Sequence, residues 1–143
     1  MLDGKAKEYH DGEVIFEEGA NGSEMYFIES GRVRLMKRSQ GLLVRLATLE
    51  RGDFFAEKSM LDGCPHCATA IAEGEVSLLA CGKEDLVEAI RKNPELALRM
   101  MGTLSDRLRK VDKDMAVLAV SGQIPRHLSD AITRRLHGEK DGS

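Results

Sequence analysis

The chain has 143 residues, of which 42% are hydrophobic and 31% are charged, a length and composition typical of one globular domain with a buried core. A second full-sized domain and wholesale disorder are therefore excluded. The 21 basic and 24 acidic side chains leave a net charge of −3. The protein therefore has no overall positive charge that would attract nucleic acid or an anionic membrane.

Glycines recur between Gly12 and Gly82 at intervals of about ten residues, and short apolar or alternating runs lie between them. This pattern predicts β-strands separated by turns. The predicted strands are residues 14–16, 25–28, 33–36, 42–49, 68–72 and 76–80. With one short helical segment near residue 57, these strands fit a mainly β fold, a double-sheeted, jelly-roll-like β-roll at about residues 9–82.

Two helices are predicted after the strands. The first helix covers about residues 84–91, has acidic residues in its first turn and ends at Asn93-Pro94. The same dipeptide is a start signal for a long helix at about 94–120. Apolar side chains recur along the long helix at three- and four-residue spacing and share one face: Leu96, Met100, Leu104, Leu108, Val111, Met115 and Leu118. This face predicts a homodimer seam; the alternative is that it packs on the β-roll.

The last part of the chain is predicted to be a small extension, residues 121–143, of the domain at 1–120. Leu128, Ile132 and Leu136 predict one short amphipathic helix before a polar tail. The residues after Pro125 are too few for a helix-turn-helix with its supporting helix. Sequence-specific DNA binding is therefore not expected.

The predicted location is the cytoplasm, without membrane attachment. No run approaches the ~20 apolar residues of a membrane-spanning helix, and the polar N-terminus lacks a stretch of signal-peptide length. Three cysteines are present, and disulfides are not expected in a reducing compartment. Cys81 is predicted to be buried in an apolar strand, whereas His10, His127 and His137 are predicted to lie at the surface.

The most informative stretch is residues 51–70. A strand ends at Gly52, two aromatic residues follow, and one helical turn begins at Ala56 or Glu57. Free backbone N–H groups at such a helix start can bind a phosphate. Glu57 would repel a phosphate and is better suited to accept a hydrogen bond from a sugar hydroxyl. The alternative is an exposed first-turn glutamate that favours the helix dipole.

Residues 52–69 resemble the phosphate-binding cassette of cyclic nucleotide-binding domains, which occur in the bacterial catabolite activator protein, protein kinase regulatory subunits and cyclic-nucleotide-gated channels. The family motif reads approximately G-D-F-F-G-E-x-A-L-L-x-x-x-P-R-S/T-A-T, and the chain aligns with it without a gap. Residues 12–19 and 25–33 resemble the family's early strands, and 93–96 resemble the start of its dimer helix. The resemblance covers about residues 9–120.

The resemblance implies a regulatory signal-transduction module without catalysis or a bound metal. Its ligand is a cyclic nucleotide, cAMP rather than cGMP, held between the cassette and the long helix, with Glu57 accepting the ribose 2′-OH. Ile90, Leu96 and Met100 are the implied hinge and lid residues. The implied ligand-binding residues are Phe55, Ala56, Glu57, Lys58, Ser59, Pro65, His66, Cys67 and Ala68. The downstream effector is not specified by the sequence.

Three departures from the motif matter for the ligand: Ala56 replaces a glycine, His66 the phosphate-binding arginine, and Cys67 a hydroxyl residue. Histidine is only partly charged at pH 7, which leaves two outcomes open. If His66 takes the arginine's place, the bound phosphate raises its pKa, and binding is weaker at pH 8 than at pH 6. Otherwise His66 does not face the phosphate, and the nucleotide is held by backbone amides and Glu57 alone, or the ligand is changed or lost.

The alternative function is a degenerate β-roll that binds no cyclic nucleotide. Cys64 and Cys67 form a CxxC pair, which could serve redox sensing in a dimeric interaction protein. A metal site at Cys64, His66 and Cys67 is disfavoured, because three ligands within four residues rarely close a tetrahedral site without a second cluster.

Overall fold

The computed structural model describes residues 4–120. Within this range the elements in chain order are β1 (Lys5–Tyr9), β2 (Val14–Phe16), β3 (Glu24–Ser39), β4 (Leu42–Glu50), β5 (Phe54–Phe55), α1 (Glu57–Asp62), β6 (Thr69–Gly82), α2 (Lys83–Lys92) and α3 (Glu95–Val120). The predicted mainly β fold with C-terminal helices is confirmed.

The strands differ from the prediction in two ways. The predicted pairs 25–28 with 33–36 and 68–72 with 76–80 are each one long strand, β3 and β6, so their division at Gly31 and Gly74 was wrong. β1 and β5 were not predicted, because β1 is largely polar and β5 has two residues. Both form through hydrogen bonds to long neighbours, a signal that local sequence does not carry.

β3 and β6 form the centre of the fold. They pair antiparallel from Glu24 with Gly82 to Met36 with Thr69. In one half of this ribbon, β1 pairs with β6 and β5 with β3. In the other half, β2 pairs with β6 and β4 with β3. Two antiparallel layers therefore share the same two long strands, which is the arrangement of a β-roll.

The ribbon is irregular where its two halves meet. The β3–β6 register shifts on both sides of Ser30, and Gly31 has φ +86°. A Cβ on Gly31 would overlap the carbonyl oxygen of Glu75 and lie 2.9 Å from the Val76 side chain. Only glycine accommodates both the left-handed backbone and this close approach.

The main core is lined by alternate residues of β6 together with side chains of β3 and β5. Its buried members are Tyr26, Ile28, Val33, Phe55, Ala70, Ala72, Val76, Leu78 and Ala80. Aromatic rings concentrate at one end, where the Phe16 centroid lies 5.8 Å from those of both Tyr26 and Phe55. This end of the core supports the cassette.

α2 follows β6 directly. The Asp85 carboxylate accepts a hydrogen bond from the Gly82 backbone N–H at 3.0 Å, which satisfies a donor at the helix start. Leu86 and Ala89 are buried. The helix ends before Asn93, and a second one follows Pro94, as the start and stop signals predict.

Contacts divide the chain into two compact units, Met1–Asn93 and Pro94–Ser143. α3 belongs to the second unit, and none of its residues is buried. Among residues 4–120, no helix is long and apolar enough to cross a membrane. The predicted short helix around Leu128 to Leu136 and the polar tail lie outside the described residues.

Candidate functional site

The cassette begins at β5, which pairs with β3 and buries Phe54 and Phe55. Ala56 follows with φ +66° and ψ +21°, a left-handed conformation that costs a residue with a Cβ about 1–2 kcal/mol. The motif has glycine here, for which this conformation is unstrained. This chain adopts the conformation with alanine, and strain of this kind is common at ligand sites.

α1 begins at Glu57, as predicted, and ends at Asp62. The next residue, Gly63, has φ +69° and donates its N–H to the Ser59 carbonyl oxygen at 3.0 Å. Ser59 and Met60 on α1 are buried, Glu57 is half-buried and Lys58 is exposed. In the loop that follows, Pro65 and Cys67 are exposed, whereas His66 and Ala68 are buried. The cassette therefore has some side chains exposed to solvent and others buried in the protein.

The side chain of His66 is one of the buried side chains of the cassette. The residue is 6% exposed, and its ring stacks on Phe16 with centroids 3.7 Å apart and planes inclined by 14°. Its Nδ1 lies 2.9 Å from the hydroxyl oxygen of Ser59, which is 2% exposed. The ring thus contacts β2 on one side and α1 on the other.

The backbone of His66 also forms hydrogen bonds with another part of the chain. Its N–H donates to the Ala20 carbonyl oxygen at 2.9 Å, and its carbonyl oxygen accepts from the Gly19 N–H at 2.8 Å. The next turn of the same loop touches the ring, because a Cβ on Gly22 would overlap His66 Nε2 and lie 2.7 Å from Cε1. The 19–22 loop therefore fixes both the backbone and the ring edge.

Burial lowers the pKa of His66 below its ordinary value, and no charged group contributes to the shift. The imidazole is therefore neutral at pH 7 in the free protein. His10 shows the opposite behaviour: its ring lies 2.9 Å from a Glu75 carboxylate oxygen, and that hydrogen bond raises its pKa. His10 is exposed as predicted, but the prediction missed its partner.

Sequence reasoning also missed the residues that surround His66. Ser59 stands where the motif has alanine, a further departure that the comparison of residues could have revealed. It contacts His66, which is itself a departure from the motif. Phe16 and Gly22 carried no local signal, because they meet His66 only when distant parts of the chain come together.

A second set of contacts holds the end of the cassette. Lys37 Nζ donates to the Cys67 carbonyl oxygen at 2.9 Å and lies 3.4 Å from the Glu18 carboxylate. Glu18 accepts from the Arg38 backbone N–H at 3.0 Å and donates its own N–H to the Thr69 hydroxyl oxygen at 2.9 Å. The Arg38 N–H and then Lys37 lower the pKa of Glu18. These contacts join the cassette exit to the end of β3.

The three cysteines differ in exposure. Cys64 and Cys67 are exposed thiols, and their redox role stays a prediction. Cys81 is buried, as predicted, and burial raises its pKa to about 11, so that it remains a thiol at neutral pH. Among residues 4–120, His, Cys, Asp and Glu side chains form no group of three that could hold a metal ion.

Comparisons with known proteins agree with this architecture. The cyclic nucleotide-binding domain profile matches residues 6–93. The chain is 37% identical over 112 residues to the Cyclic AMP receptor protein of Thermus thermophilus, covering 78% of this chain and 52% of that protein. It is 33% identical over 76 residues to a cAMP-dependent protein kinase regulatory subunit of Mucor circinelloides, covering 53% of this chain and 18% of the subunit.

A solved structure shows the same likeness. The Thermus thermophilus Catabolite Activator Protein superposes with a TM-score of 0.72 at 34% identity, covering 80% of this chain and 55% of that chain. The chain is therefore a β-roll that carries the cassette motif. The chain belongs to the cyclic nucleotide-binding domain family. It spans about half the length of the Thermus protein and a smaller share of the kinase subunit.

Proposed function

We propose that the chain is a cytoplasmic regulatory module that binds a cyclic nucleotide, cAMP in preference to cGMP, and catalyses no reaction. The observation that carries this proposal is the cassette, which aligns with the family motif without a gap, has a left-handed turn at Ala56 and keeps the motif's glutamate at the start of α1. The names of the Thermus and Mucor relatives support cAMP as the ligand.

The cassette residues predicted from the sequence are the proposed ligand-binding segment: Phe55, Ala56, Glu57, Lys58, Ser59, Pro65, His66, Cys67 and Ala68. Glu57 is its proposed sugar contact, because a half-buried carboxylate can accept a charge-assisted hydrogen bond from a ribose hydroxyl. The buried members, such as Phe55 and Ala68, shape the segment from inside.

Isothermal titration calorimetry of the purified chain with cAMP, cGMP and 5′-AMP tests the proposal. We expect cAMP to bind more tightly than cGMP, and acyclic 5′-AMP to bind least. Tighter binding of cGMP would contradict the ligand preference. Absence of binding by both cyclic nucleotides would contradict the function and favour the degenerate β-roll that the sequence leaves open.

We also propose that the module forms a homodimer through α3. The helix has 26 residues, which corresponds to a length of about 39 Å. In the single chain, its apolar residues Leu108 and Val111 are 52% and 49% exposed. A continuous apolar stripe of this length is typical of an interaction surface rather than of a monomer surface.

We expect Leu108→Glu combined with Val111→Glu to produce monomers, because each protomer would bury two carboxylates in the seam. Multi-angle light scattering measures the mass directly. Lys110→Ala combined with Lys113→Ala changes the net charge equally on the opposite helix face and should leave the dimer intact. A monomeric wild type would show that α3 is not a seam.

A further inference from the structure

The contacts of His66 are those of a fixed internal side chain. The ring is stacked on Phe16, hydrogen-bonded to Ser59 and in contact with the Gly22 backbone. These three neighbours belong to β2, α1 and the 19–22 loop, which are separate in sequence. One imidazole therefore contacts three segments of the chain at once.

The surroundings of the ring favour its neutral form. β2 presents an aromatic face, α1 presents a hydroxyl and the 19–22 loop presents glycine backbone, so none of the contacting groups carries a charge. The nearest titratable neighbours in sequence, Cys64 and Cys67, are exposed to solvent. Burial is the cause of the lowered His66 pKa, and an imidazolium in this place would lack a counter-charge.

We propose that His66 is a positioning residue: its neutral ring ties α1 to β2 and to the 19–22 loop, and it does not supply the positive charge of the family's arginine. The inference rests on the proposed function, since the segment that it positions is the nucleotide-binding cassette. Two motif departures support it together. Histidine replaces arginine and Ser59 replaces alanine, and these two side chains form a hydrogen bond at 2.9 Å.

The proposal sets the sign of the pH dependence. The His66 pKa is lower in the folded than in the unfolded protein, where it is about 6.5, so neutral His66 stabilises the fold above about pH 6.5. This contribution is lost as the pH falls through the folded-state pKa. A bound nucleotide that leaves the ring in place gives no gain in affinity on acidification. A phosphate-binding imidazolium would give the opposite result, with tighter binding at pH 6 than at pH 8.

The first experiment follows the imidazole resonances of the free wild-type chain by NMR from pH 8 to pH 5.5, with His66→Asn used for assignment. We expect His66 to titrate below the ordinary range and His10, beside Glu75, above it. The same titration is repeated with saturating cAMP. The inference expects the His66 pKa to stay low in the complex, and a rise above the free value would overturn it.

Calorimetry of the wild type with cAMP at pH 8, 7 and 6 gives the second readout. We expect equal affinity at pH 8 and 7 and no gain at pH 6. An affinity that increases toward pH 6 would overturn the positioning role while upholding the proposed function. A chain that binds neither cAMP nor cGMP at any of these pH values would overturn the proposed function, and the positioning of a nucleotide site falls with it.

Two variants of His66 show whether its effect on cAMP binding comes from the hydrogen bond to Ser59 or from the volume of the ring. Asparagine can place a polar atom near the position of Nδ1, whereas leucine cannot. We expect His66→Leu to weaken cAMP binding at pH 7.5 by about tenfold and His66→Asn to retain most of the affinity. Cys64→Ser, a change at an exposed position in the same loop, is the control and should bind as the wild type does. Equal cAMP affinity of His66→Leu and the wild type would overturn the inference. If His66→Leu does not fold, the calorimetry of the wild type at pH 8, 7 and 6 still tests the inference.

Discussion

Gly31→Ala is expected to lower the free energy of unfolding by about 2–5 kcal/mol. The left-handed backbone accounts for about 1–2 kcal/mol of this loss, and the overlap of the new Cβ with the Glu75 carbonyl for a further 1–3 kcal/mol. Gly31 has φ +86° and lies at the register shift where the two halves of the β3–β6 ribbon meet. Urea denaturation followed by circular dichroism measures the change.

Gly41→Ala is the matched control for this variant. Gly41 has φ +80°, and a Cβ placed on it meets no atom within 4 Å. It should therefore show only the backbone cost of about 1–2 kcal/mol. Equal destabilisation by the two variants would mean that the Glu75 carbonyl moves away from Gly31 at little cost.

Glu57→Gln is expected to weaken cAMP binding by about 1–3 kcal/mol, or about 5- to 150-fold in the dissociation constant. The amide keeps the shape of the side chain but loses the negative charge that strengthens a hydrogen bond from a sugar hydroxyl. Glu57 is the first residue of α1 and lies next to the left-handed Ala56. Calorimetry with cAMP at pH 7.5 provides the measurement.

Asp62→Asn provides the control for the loss of charge, because Asp62 is exposed at the other end of the same helix. It should bind cAMP as the wild type does. Urea denaturation of the Glu57→Gln chain separates a binding effect from a folding effect, since we expect its fold to survive. An unchanged dissociation constant would place the sugar contact on another residue.

Two sets of side-chain contacts hold the cassette of this chain in place. The ring of His66 and the hydroxyl of Ser59 join the cassette to the β-roll from inside. Lys37 holds its far end through the Cys67 carbonyl oxygen. A segment that is already ordered loses little conformational entropy on binding.

The sequence by itself determined the class of fold and the position of the candidate site. Strand-length apolar runs between glycines predicted a β-roll, and the Asn93-Pro94 signal placed the boundary between α2 and α3 correctly. The resemblance of residues 52–69 to the family motif identified the cassette. These features depend on local preferences and short spacings, which any stretch of sequence carries within itself.

Only the tertiary structure decided how β1 and β5 pair, that β3 and β6 each run through a glycine, and which way His66 points. Strand pairing depends on partners far along the chain, such as Lys5 with Ala80. The charge state of His66 depends on burial against Phe16, fifty residues away in sequence. The motif position left open whether His66 faces the phosphate, whereas the structure buries its ring against Phe16 and Ser59. Burial and distant packing set the pKa of a side chain, and neither can be determined from the residues beside it.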